Sequence, residues 1–349
     1  MVAFLVFLVG FSIGLFIGII FHELGHLFLG LLGGMEVDFL SILGLRLSFL
    51  PEGVHLQWMG WGEIRRGVFG QTAMRLGRRS QPRSLVWHYL GGILSNLLVM
   101  VLAFFVLFTD TTKGSLSRFF LLGLIANNLF LVIQNLRVHP GTHFYSDGDL
   151  VRLLRKDTER EALFLCMQAE EKLSRGTRPR DLDFPGILGE DALTQLLSAM
   201  ICFLQQTDRG RRQGLAAIVD RLRPYENPLY NVNSEERLAY CMIYDGWIEP
   251  QEMRMQQNRA YNHGQILQSS SAMGQLAELF YDYYRRDRRV VPVIGVEECE
   301  AKAERVKEQL LQEEGSGLAD WAYELLERRR RGSYDARGEK TLSGGEGTD

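Results

Sequence analysis

Hydrophobic and polar positions divide this chain into two unlike parts. From Met1 to Phe21 no side chain is charged, and the apolar stretch continues past His26 to about Leu32. Crossing ~30 Å of hydrocarbon takes about 20 helical residues, so this segment is long enough to span a bilayer. It lacks the basic n-region of a secretory signal and runs on too far for one. Ser84–Phe108 is a second uncharged run, and Phe119–Leu136, bounded by Arg118 and Arg137, is a shorter third. The pattern predicts three membrane-spanning helices.

Between the first two spans, Val37–Phe49 and Val54–Trp61 are rich in β-branched, aromatic and leucine residues, with Pro51-Glu52-Gly53 between them as turn chemistry. A membrane-associated β-hairpin is expected there. Beyond Leu150 the period changes. Glu159–Leu173, Ala192–Gln205, Ser234–Tyr244, Met273–Tyr284 and Val296–Leu311 place apolar residues three and four apart, as amphipathic helices do. The expected fold is an α-helical membrane protein of about three core spans, followed by a soluble all-α domain of helical hairpins. The expected divisions are a transmembrane domain over residues 1–150, a helical domain over 151–331 and a disordered tail over 332–349, rich in Gly, Ser and charge.

Charge refines the topology. The near-zero mean hydropathy of the 349-residue chain conceals a balance of +4 over residues 1–144 and −7 over the rest. Neither is extreme, and no nucleic-acid partner is expected. Arg46, Arg65, Arg66, Arg75, Arg78, Arg79 and Arg83 all lie between spans one and two, whereas the next connection holds only Asp110 and Lys113 before Arg118. Arg-rich loops stay cytoplasmic. The N-terminus is therefore expected outside and the large polar domain inside, and the cysteines agree. Cys166, Cys202, Cys241 and Cys299 are far apart and form no CxxC pair, which suits a reducing compartment.

The first span carries His22-Glu23-Leu24-Gly25-His26. On a helix, positions i and i+4 share a face, so both imidazoles can reach one metal ion with Glu23 beside them as a base. An H-E-x-x-H arises by chance in roughly one such chain in a hundred. Its place in an apolar helix makes it informative, because an ionisable side chain at mid-helix costs about 2.5–3.5 kcal/mol on insertion scales. Gly10, Gly14, Gly18 and Gly30 form a small-residue seam on the same helix, suited to close helix packing or to a homo-oligomer. Two histidines need a third ligand. A metzincin extension is excluded, since positions 29 and 32 are leucine, which leaves His139, His143, Asp147 and Asp149 after the third span.

H-E-L-G-H in a membrane helix, then Gly91-Gly92-Ile93-Leu94-Ser95-Asn96, then Asn135, Pro140 and Asp147-Gly148 form an ordered set over about residues 15–150. This set resembles the site-2 protease family of intramembrane zinc metalloproteases. The resemblance implies Zn2+ held by His22, His26 and Asp147, Glu23 as the catalytic residue and Asn96 in substrate binding. Asn135 and Asp147 are further apart than is usual in the family. The resemblance also implies a substrate-binding hairpin, for which Val37–Trp61 is in the corresponding place. Its substrates would be membrane proteins cut in or near their transmembrane segments, releasing a signalling fragment. The expected setting is a bacterial cell membrane, with a regulatory protein as a partner for the cytoplasmic domain. The competing reading is a catalytically silent membrane adaptor acting through that domain; an intact Glu23 speaks against it.

Overall fold

A computed structural model describes residues 2–50, 53–59, 69–109, 115–137, 145–209, 275–276, 279, 296–312 and 316–335. The chain divides into two compact units, residues 1–168 and 169–349.

In the first unit, α1 (Val2–Leu32), α2 (Pro82–Thr109) and α3 (Ser115–Leu136) are long and apolar enough to cross a membrane. Helix α1 buries Gly10, Gly14, Gly18, Glu23, Gly25, His26 and Gly30 and exposes Phe4, Phe16, Phe21, Phe28 and Leu31. Such a surface would be costly in water, since it leaves large apolar side chains hydrated. It suits a hydrocarbon solvent, where small residues let helices approach and polar ones face the interior. The seam finds its partner within the chain. A Cβ at Gly10 would strike the backbone of Phe120, and one at Gly14 would lie 3.0 Å from Leu124 Cα. Helix α3 fills this groove, so a homo-oligomer would need another surface. Further along α1, Gly25 meets Gly91 of α2 backbone to backbone.

The polar segment between α1 and α2 is a sheet and not one hairpin. Strands β1 (Glu36–Ile42), β2 (Leu45–Leu50), β3 (Gly53–Trp58) and β4 (Gly70–Arg75) pair antiparallel in the order β3-β2-β1-β4. The first expected strand is broken at Leu43-Gly44, where φ is 52° and 81°. Positive φ at both central residues makes the two-residue turn that matches strand twist. Glycine takes that backbone freely and leucine does not. The second expected strand is β3; Pro51, Glu52, Gly60 and Trp61 lie outside the described residues.

Register gives the sheet one apolar face. Leu45, Leu47 and Phe49 stand opposite Trp58, Leu56 and Val54, and Leu40 and Ile42 continue the rows across β1. The same rows end at Thr72 and Gly70 of β4.

After α3 come α4 (Asp147–Leu153) and α5 (Asp157–Ser174), the latter running across the boundary between units. Ser146 caps α4 with a capping box closed by Asp149, which satisfies two otherwise orphaned backbone donors.

The second unit contains a 3-10 turn (Pro179–Asp181), α6 (Ala192–Asp208), α7 (Val296–Gln312) and α8 (Gly317–Asp335). Arg178 ties these together, donating to the buried Asp208 carboxylate at 2.8 Å and to Glu324 at 2.7 Å. Helices α5, α6 and α7 fall where the periodicity put them. The segment Ser234–Tyr244 lies outside the described residues, as does most of Met273–Tyr284. Helix α8 carries the helical state to Asp335, past the expected start of the tail at Gly332; residues 336–349 lie outside the described ones. Cys166, Cys202 and Cys299 are buried thiols without a disulfide, and burial pushes the Cys202 thiol up to about 11.

Candidate metal centre

His22 and His26 sit one turn apart on α1, and Asp147 is the first residue of α4. The three converge: Asp147 Oδ2 lies 2.9 Å from His22 Nε2 and 3.3 Å from His26 Nε2. The two Nε2 atoms are 3.1 Å apart. Their ligand atoms all fall within 4.8 Å of one another, close enough to hold one metal ion.

Glycines make this convergence sterically feasible. A Cβ at Gly92 would lie 2.5 Å from His26 Nε2, so α2 can pass the imidazoles only where it lacks a side chain. Gly92→Val is therefore expected to displace both rings and lower the bound metal well below that of wild type, measured by elemental analysis of the purified protein. At the other side, a Cβ on Gly148 would lie 2.5 Å from Asn135 O and 2.8 Å from Leu136 Cα. That close approach seats the start of α4 against the end of α3 and brings Asp147 over the histidines.

Second contacts fix the rings. His26 Nδ1–H donates to the carbonyl of His88 at 2.8 Å, and His88 Nδ1–H donates to the carbonyl of His26 at 3.2 Å. This reciprocal pair locks α1 to α2 and turns the His26 Nε2 edge toward Asp147. Outer partners of this kind orient metal-binding imidazoles and fix their tautomers. Asn96 is fully buried, with its carboxamide 3.2 Å from His22 Nδ1; as placed it offers Nδ2 and leaves Oδ1 without a partner among the described residues. Turned about its amide axis it would accept a hydrogen bond from His22 Nδ1–H and leave His22 Nε2 with its lone pair, an assignment that the hydrogen-bond network decides.

Burial alone would raise the Asp147 carboxyl, but hydrogen bonds and charge from His22 and His26 outweigh it and hold the group well below the usual carboxylate range. The centre thus presents one carboxylate oxygen and two imidazole nitrogens, a donor set that fits a borderline divalent cation such as zinc.

Glu23 is buried beside this centre, and its Oε2 accepts a hydrogen bond from Thr72 Oγ1 at 2.7 Å. A cavity of about 400 Å³ opens over the group and is lined by Glu23, Asn96 and Asn135 together with Phe69, Tyr89 and Tyr145. Of the other ligand candidates, Asp149 is occupied elsewhere: its Oδ2 accepts from the Ser146 hydroxyl at 2.9 Å and from the Ser146 backbone at 3.2 Å. His139 and His143 lie outside the described residues. Sequence reasoning missed Thr72, Gly70 and the positional role of His88. Nothing local marks Thr72 or Gly70, and His88 stands out only as a polar residue within a span, because each acts across a tertiary contact.

Comparison with protein-family models, with curated proteins and with solved structures finds no match for this chain.

Proposed function

We propose that the protein is an intramembrane zinc endopeptidase of the site-2 type, cutting membrane proteins in or near their transmembrane segments. The observation that carries this reading is the meeting of Asp147 with His22 and His26 beside Glu23, inside a bundle of three apolar helices. His22, His26 and Asp147 would hold the ion. Zinc, when bound, supplies a Lewis acid that polarises the scissile carbonyl and makes water more acidic.

The chain's own residues do the rest. Glu23 accepts a proton from the attacking water as its oxygen bonds to the carbonyl carbon, then returns that proton to the amine as the C–N bond breaks. Asn96 holds His22 and faces the cavity, where it can also steady the substrate. A helical substrate shields its carbonyls by hydrogen bonding, so it must unwind to react. Strand β4 is at the edge of the sheet, and Phe69–Thr72 line the cavity. An extended substrate segment would add to that edge, in the recognition mode of strand addition, in preference to the β2–β3 hairpin at the far side. The exposed Leu45, Val54, Leu56 and Trp58 would face the bilayer at its cytoplasmic side.

The Arg-rich segments around the sheet support an outside N-terminus and a cytoplasmic second unit; the setting we propose is a bacterial cell membrane. That unit would recruit substrate or a regulatory protein. The test is zinc content and cleavage of model transmembrane substrates by detergent-purified protein, before and after chelation. We expect about one zinc per chain, with cleavage lost on chelation and restored by zinc. Protein that retains no zinc under mild purification would overturn the protease reading in favour of a membrane adaptor.

A further inference from the structure

Strand β4 touches Glu23 at two positions on one face. Thr72 Oγ1 lies 2.7 Å from Glu23 Oε2 and 3.1 Å from the Glu23 carbonyl. Two residues earlier, Gly70 lies against the other carboxylate oxygen: a Cβ there would be 2.5 Å from Oε1 and 2.7 Å from Cγ. Residues i and i+2 of a strand share a face, so a glycine and a threonine at this spacing form a seat for one carboxylate. We infer that Thr72 is a positioning residue for the general base, with Gly70 leaving the space in which that base sits. This rests on the protease reading above.

The physical need is clear from the helix. Glu23 has three side-chain torsions, and holding such a side chain in one rotamer has an entropic cost. A base must nevertheless be within hydrogen-bond reach of the proton it takes. Thr72 is β-branched and stiff at χ1, and it is held in the ladder opposite Leu40. Its single hydroxyl proton goes to the nearer acceptor, Oε2. Oε1 then stays free of hydrogen bonds from β4, because glycine brings no side chain to it. The edge strand that would pair with the substrate is thus the strand that seats the base. Thr72 hydrogen-bonds Glu23 and, among the described residues, none of His22, His26 and Asp147, so its contribution is separable from metal binding.

The experiment uses the full-length protein in detergent, with Thr72→Val, Thr72→Ser and Gly70→Ala. It reads zinc content, kcat and KM on a model transmembrane substrate, and the Glu23 carboxylate stretch, isolated by infrared difference against Glu23→Gln. For Thr72→Val we expect unchanged zinc, little change in KM and a kcat lower by roughly 10- to 100-fold, the worth of a hydrogen bond to a charged group. The carboxylate band should shift in the valine variant and stay in place in the serine variant, which also keeps most of its kcat. Gly70→Ala should lower kcat with zinc retained, since the new methyl displaces Oε1.

Wild-type kcat and an unshifted band in Thr72→Val would overturn the inference. So would a serine variant as impaired as the valine one, or zinc loss in proportion to activity, both marks of a merely structural role. If wild type holds zinc and cleaves, a null result for Thr72→Val counts against this inference alone. If wild type neither holds zinc nor cleaves, the protease reading falls and the role of Thr72 falls with it.

Discussion

Glu23→Gln is expected to abolish cleavage while leaving the metal bound. The substitution keeps the shape of the side chain, and the glutamine carbonyl can still accept the Thr72 hydroxyl proton that now goes to Oε2. What it removes is basicity, because an amide cannot take a proton from water at neutral pH. General acid–base catalysis contributes typically about 10²–10⁴-fold. In the proposed mechanism one group serves both proton transfers, so the loss should fall at the upper end of that range. Zinc should be unaffected, since the three side chains placed to hold a metal ion are His22, His26 and Asp147, and Glu23 is not among them. Stability should hold or rise, because a buried carboxylate costs more to desolvate than an amide. Zinc analysis, cleavage rate and a thermal unfolding midpoint measured together separate these effects. Full activity in the variant would remove Glu23 from the chemistry, and loss of zinc would show that its role is architectural.

Much of this could be read from the sequence because membrane helices obey strong local rules. Twenty apolar residues in a row have few alternative structures, so α1, α2 and α3 were legible from length and charge alone. The i, i+4 spacing of His22 and His26 is likewise local. The same is true of the seam Gly10, Gly14 and Gly18; its spacing announces a packing face, although nothing in it says that α3 is the helix that fills it. The sheet was only half legible. Leu43-Gly44 is a weak turn signal beside Pro51-Glu52-Gly53, so two strands read as one. Strand β4, Gly70-Gln71-Thr72-Ala73-Met74-Arg75, has neither alternation nor β-branched richness, and it exists because β1 offers it a ladder and α1 a surface. Its two site residues were therefore hidden. His88 was visible as a polar residue within a span, but its exchange of hydrogen bonds with His26 is set by the Gly25–Gly91 crossing. Local sequence encodes the donors; the contacts that aim them are tertiary.

Asp147 and Asp149 provide the sharpest contrast, since two carboxylates two residues apart meet different partners, the histidines for one and Ser146 for the other. Asp147→Asn is expected to lower zinc affinity by roughly 100-fold or more, beyond the 10–100-fold typical of losing an outer-shell partner, and to abolish cleavage. The amide is isosteric, so α4 should keep its seat against α3. Asp149→Ala should instead retain zinc. That carboxylate closes the capping box on Ser146, and its loss should cost about 1 kcal/mol of local stability. The geometry explains why the roles do not exchange. Glycine at 148 allows the start of α4 to press on Asn135 and Leu136, which turns the residue before it toward the histidines. The residue after it points back to the cap. Equal zinc loss in both variants would mean that the metal depends on the fold of α4 as a whole. Loss in Asp147→Asn alone would assign the third ligand to one side chain.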